Sequence, residues 1–247
     1  MENAGLELSA KFALMPNCLG HCGTDWFAGV FGRYLAGKAK NGELKAELEQ
    51  FTAHHSYLKL IGDCNRRDAF DEKVVEAMWL GNELLENVGK KDLQKMMLTR
   101  FVNAGMQKER AKKLAENVPE GAVPHHSFHV LYVGSISGKI MPTLLNAEKC
   151  LIRSGRVIAV QGSHAELECW SLTGRRLEES LLSVNGIRPE RALEKGEKVA
   201  LHWGMACTKI SEQQEKALIT YTKRNLEAVR TLSRAVDAVG STYSTNL

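Results

Sequence analysis

VPEGAVPHHSF, residues Val118 to Phe128, is where the chain changes character: two prolines and a glycine punctuate it between Pro119 and Pro124. Upstream the apolar residues recur at helical spacing. Trp26, Val30 and Phe31 repeat with Tyr34 and Leu35, and Val74, Val75, Met78 and Leu80 lead on to Leu84 and Leu85. Asp71 and Glu72 supply an acidic helix start for that second run, and Gly89 with Lys90 and Lys91 supplies its stop. Further helices are predicted from Lys91 to about Ala104 and from about Gln107 to Asn117. Downstream, β-branched and aromatic residues take over. His125–Val133, Cys150–Gln161, Ala165–Leu172 and Lys198–Lys209 read as strands separated by Gly, Ser, Asn and Pro clusters. Ser211 and Gln214 form a capping-box pattern that opens a last helix, with Val229, Leu232, Val236 and Val239 on one stripe. The expected fold is α+β: a helical domain over residues 1–120, then a small antiparallel β-barrel with a long C-terminal helix over residues 121–247.

The chain has 247 residues, 44% hydrophobic and 25% charged, with 5 Pro and 21 Gly. That composition excludes collagenous, low-complexity and wholly disordered classes. The 33 Lys and Arg against 29 Asp and Glu are interleaved along the chain, so the net charge of +4 does not indicate a nucleic-acid partner. MENAGLELSAKF lacks the pattern of a secretory signal, and no stretch approaches the roughly 18 apolar residues of a membrane span. A cytoplasmic protein without a membrane partner is the expectation. On that reading the six cysteines, Cys18, Cys22, Cys64, Cys150, Cys169 and Cys207, are buried thiols, metal ligands or reactive groups rather than a disulfide framework. No phosphate-binding glycine loop, nucleophile elbow or dinucleotide fingerprint is present.

Three segments concentrate soft ligands. The predicted turn PNCLGHCGTD (Pro16–Asp25) places His21 beside Cys22 and spaces Cys18 from Cys22 by three residues. This suits metal binding but falls short of the four ligands of a closed zinc site. In HHSFH (His125–His129), His125 and His129 share a face whether the segment is strand or helix. Read as a strand, it turns His126 the other way. Cys18, Cys22, His125 and His129 are therefore expected to meet at the junction of the two halves. His54 and His55 read as helix-surface residues. The third segment pairs Cys150 with His202, which alternates with Leu201 and Trp203 and so is expected to face the side on which a partly accessible Cys150 thiol opens.

CLIRSGRV (Cys150–Val157) and GEKVALHWGMA (Gly196–Ala206) carry a resemblance. Cys150, Leu151, Gly155, Arg156 and Val157, then Gly196, Val199, His202, Gly204 and Ala206, resemble the motifs of HypC/HupF-type nickel–iron hydrogenase maturation chaperones. In the first motif Ile152, Arg153 and Ser154 replace the family's Ala, Ile and Pro, and Cys150 is internal. The likeness covers roughly the last hundred residues and implies an OB-like barrel. It also implies iron, free or carrying diatomic ligands, held through Cys150 and His202, and partners among hydrogenase large subunits or other maturation proteins. PNCLGHCG, VVEAMWLGNELL and PHHSFHVLYVG together resemble an uncharacterised domain family associated with hydrogenase gene neighbourhoods. The expected function is a maturation chaperone with Cys150, His202, Cys18, Cys22, His125 and His129 as metal ligands. Two alternatives stand beside it: a metal- or haem-dependent enzyme handling a diatomic or one-carbon species, and a pure protein-interaction module.

Overall fold

The computed structural model describes residues 2–23, 29–136, 138–162, 164–173, 176–185 and 193–243. Helix α1 (Glu2–Cys18) buries Leu6, Ala10, Phe12, Ala13 and Leu14. Its main partner is α5 (Glu72–Trp79), begun by Asp71, whose side chain accepts from the Lys73 amide at 2.9 Å. Gly5 lets the two approach: a Cβ there would lie 2.0 Å from the Phe70 carbonyl oxygen. Around this pair pack α2 (Gly29–Leu35), α3 (Asn41–Gln50) and α4 (Thr52–Asn65). The predicted run from Val74 to Leu85 divides after Trp79, and a 3₁₀ turn, Glu83–Asn87, follows Gly81, whose φ is 88°. Helix α6 (Lys90–Met96) winds into a π turn, Met97–Phe101, and α7 (Lys108–Glu116) completes the first half.

The segment after Pro124 is helical, where the composition predicts a strand. His125 is the N-cap of a short turn, α8 (His126–Phe128), its ring nitrogen accepting from the Ser127 amide, and the turn runs on as a π turn over His129–Val133. A side-chain cap satisfies donors that a strand would have paired with a neighbour, and this decides the local outcome. Helix α9 (Leu144–Cys150) places Cys150 at a helix C-terminus rather than a strand start.

The sheet has five antiparallel strands in the order β3-β2-β1-β4-β5: β1 (Arg153–Gln161), β2 (His164–Thr173), β3 (Arg176–Asn185), β4 (Lys198–His202) and β5 (Met205–Lys209). It is not the closed barrel expected from the strand spacing. Among the described residues no ladder joins β3 to β5. The two last strands have only 5 residues each, and α1 packs on β5. A covering helix thus protects an edge that a barrel would close by pairing. The predicted strand Lys198–Lys209 is a hairpin instead, because Trp203 and Gly204 both take positive φ, 50° and 75°. Two such residues are what a type I′ turn needs. Val157, Leu167, Cys169, Val199 and Leu201 form a small core on the sheet. A larger cluster runs through the helices and continues into Ile152, Ala200, Met205, Cys207 and Leu218.

Helix α10 (Glu212–Tyr243) begins with the predicted capping box, Ser211 N to Gln214 Oε1 at 2.9 Å and Gln214 N to Ser211 Oγ at 3.1 Å. Its buried face is Leu218, Thr222, Asn225, Leu226 and Ala228, whereas Val229 and Leu232 are half-buried; the side chains of Val236 and Val239 lie outside the described residues. Asn225, fully buried, accepts from Val123 N (2.9 Å) and donates to Val123 O (3.1 Å) and Ser127 Oγ (2.9 Å). Asn225→Leu strands these groups without water, so a loss of about 3 kcal/mol is expected, read as a lower urea midpoint at unchanged m-value.

Candidate metal centre

Helix α8, the end of α9 and the β4–β5 turn converge on His126, Cys150 and His202. One ligand atom from each lies within 4.8 Å of the others, and all three residues are buried. The backbone ties the elements together first. Trp203 N donates to Lys149 O at 2.8 Å, fastening the hairpin turn to the last turn of α9. His126 Nε2 donates to Cys150 O at 2.9 Å, capping a carbonyl that the helix end leaves open. His202 Nδ1 donates to Phe12 O at 2.7 Å, so the first helix orients the imidazole.

These bonds also choose the tautomers. Burial pushes His202 down to about 4 and His126 well below the usual histidine range, so both rings are neutral at pH 7. With the His202 proton on Nδ1 and the His126 proton on Nε2, the lone pairs sit on His202 Nε2 and His126 Nδ1. Both of these atoms are buried without a hydrogen-bond partner among the described residues. Burial, then the nearby Cys22 thiol, push the Cys150 thiol up. Its sulfur lies 3.8 Å from His126 Nε2.

The centre is in the wall of a cavity of about 490 Å³, lined also by Cys22, His54, Trp79 and His129. Trp79 is its aromatic hub, with ring centroids 5.1 Å from His54, 4.7 Å from His126 and 5.6 Å from His202. A family model described as a family of unknown function, DUF6390, matches residues 1–236. The chain belongs to the DUF6390 family. No curated protein and no solved structure matches it.

Of the residues singled out in the DUF6390 sequence, the cavity gathers Cys22, His129, Cys150 and His202. It leaves out Cys18, the half-buried last residue of α1, and His125. His125 Nδ1 lies 2.8 Å from Ser127 Oγ, and burial pushes this ring down to about 3. As an N-cap, His125 stands outside the helical repeat and does not share the face of His129. Of the predicted turn Pro16–Asp25, Pro16 to Cys18 complete α1, and Thr24 and Asp25 lie outside the described residues. The Cys150 thiol is less open than expected, with the residue 8% exposed.

Two cavity histidines escape the sequence reading. Strand alternation turns His126 away from the site; the Pro-His-His-Ser order, an N-cap signal, is what could reveal it. His54, read as surface, is 4% exposed and lies against Trp79, while His55 is half-buried over Phe70 at 5.6 Å. Among the described residues, no helix is long and apolar enough to cross a membrane.

Proposed function

We propose that this protein holds a transition-metal ion, iron in the first instance, through His126, Cys150 Sγ and His202, as a maturation chaperone serving a hydrogenase or a related metalloenzyme. The observation that carries the metal is the buried group of two imidazoles and a thiol, with one ligand atom from each within 4.8 Å of the others. Buried polar atoms are otherwise almost always paired, so an unpaired one marks a place for a water, a ligand or an ion. Two imidazoles and one thiolate suit zinc, copper or iron. The resemblance of Cys150–Val157 and Gly196–Ala206 to the HypC/HupF chaperones supports iron and the client class. Three protein ligands leave a fourth position on the cavity side, where Cys22 or a small exogenous ligand can bind. The hydrogen bonds from His126 to Cys150 O and from His202 to Phe12 O orient both rings.

Protein purified without oxygen and reconstituted with Fe(II) is expected to retain one metal per chain. Cys150→Ser and His202→Ala are each expected to lower retention by about tenfold or more, whereas Cys18→Ser, altering a residue outside the cavity, leaves it unchanged. Elemental analysis after desalting reads the outcome. A wild-type protein that holds neither iron nor zinc after reconstitution overturns the metal, and a metal-loaded Cys150→Ser protein overturns the ligand set. The client is tested separately, by hydrogenase activity in cells carrying Cys150→Ser in place of the wild type.

A further inference from the structure

The cavity extends well beyond the three ligands. Its walls include Phe51, Tyr57, Met78, Val130, Ile136 and Ile140, and at its rim Met141 and Leu144 are 68% and 50% exposed. No carboxylate is among its described lining residues, and Lys139, the one ammonium among them, is exposed. At about 490 Å³ it is in the range of small-molecule pockets. An apolar cavity of this kind gains little from water, and its rim gives apolar molecules an apolar approach.

Among the polar side chains of the lining away from the metal ligands, two are buried and open to a ligand. Both ring nitrogens of His54 and the indole Nε1 of Trp79 are buried with no hydrogen-bond partner among the described residues. The two rings stack at 5.1 Å and both line the cavity. They offer a neutral ring with one donor and one acceptor, beside a second donor. Neither can balance a formal charge.

We propose that this cavity binds a small uncharged organic molecule, mostly apolar, whose single hydroxyl group is held by the His54 imidazole and the Trp79 indole N–H. The hydroxyl accepts from Trp79 Nε1 and donates to, or accepts from, the facing nitrogen of His54. Its apolar body lies along Met78, Val130, Ile136 and Ile140. Trp79 also touches His126 and His202, so the bound molecule sits beside the metal position. The site goes beyond the metal reading and does not require the ion.

2-Naphthol and naphthalene are suitable probes, titrated calorimetrically into metal-free protein. The protein is expected to bind one equivalent of 2-naphthol, about tenfold more tightly than naphthalene. His54→Phe keeps an aromatic ring of similar size but no polar atom, and is expected to weaken 2-naphthol binding about tenfold while leaving naphthalene binding unchanged. Naphthalene binding thereby reports that the variant is folded. Ala53→Phe, which fills the cavity from α4, is expected to abolish binding of both. Failure of either probe to saturate wild-type protein overturns the site, as does equal affinity for the two probes or an unaltered 2-naphthol affinity in His54→Phe. Because no arm contains metal, these outcomes are independent of whether the centre holds iron.

Discussion

Acidification from pH 7 to about pH 5 is expected to unfold the metal-free protein in one cooperative transition. Burial is the main cause that pushes His54 and His125 down to about 3, His129 and His202 to about 4, and His126 well below its usual 6.5. In the unfolded chain each titrates near 6.5, so below that pH the unfolded state takes up protons that the folded state refuses. The contribution of these rings is full above about pH 6.5 and is lost as the pH falls towards about 4. Each proton steepens the loss by about 1.4 kcal/mol per pH unit, and five together approach about 7 kcal/mol per unit. A domain of ordinary stability, about 5–15 kcal/mol, is exhausted within about one to three units. Circular dichroism against pH, with proton uptake on unfolding, checks this; a fold that persists unchanged to about pH 4 refutes it. His54→Phe removes one of the five protons and flattens the slope by about a fifth.

Trp79→Ala is expected to cost about 3–5 kcal/mol, the usual range for deleting a buried tryptophan. Trp79 is 3% exposed, and its indole stacks on Phe12 at 5.0 Å as well as meeting the three imidazoles. Without it the rings of His126 and His202 lose a shared wall, so metal retention is expected to fall with stability. Trp79→Phe keeps a wall and is expected to recover at least half of the lost stability. Urea unfolding followed by elemental analysis distinguishes this from a purely local effect: a Trp79→Ala protein with wild-type midpoint contradicts the role of the indole as hub.

Periodicity in the first half reveals the helices at Val30–Leu35 and Val74–Met78 because their apolar residues recur at three and four positions, and the capping signals at Asp71 and Ser211 act through neighbours in sequence. The same reasoning fails at His125–Val133 and at Lys198–Lys209. In the first, an imidazole cap outweighs a β-branched and aromatic composition; in the second, Trp203 enters a left-handed turn that its side chain gives no hint of. Strand β3 goes unnoticed because Arg176–Asn185, with paired glutamates, lacks the strongly apolar alternation of a core strand. Cys150 and His202 are legible from their motif surroundings. His126 and His54 are not, since their burial depends on Trp79, which is distant from both in sequence. Asn225 escapes for the same reason: its partner Val123 lies 102 positions away.

The bond from His202 to the Phe12 carbonyl spans 190 positions of the chain. During synthesis the first helix leaves the ribosome long before the hairpin that depends on it, and the cluster of His126, Cys150 and His202 cannot close until that hairpin has emerged. An ion bound by all three side chains would therefore enter only after the hairpin has been made. Contacts of such long range also slow folding, because the closure entropy is lost before they can form. A nascent chain arrested before Leu201 would carry His126 and Cys150 without their third companion, and so would be unable to sequester an ion prematurely.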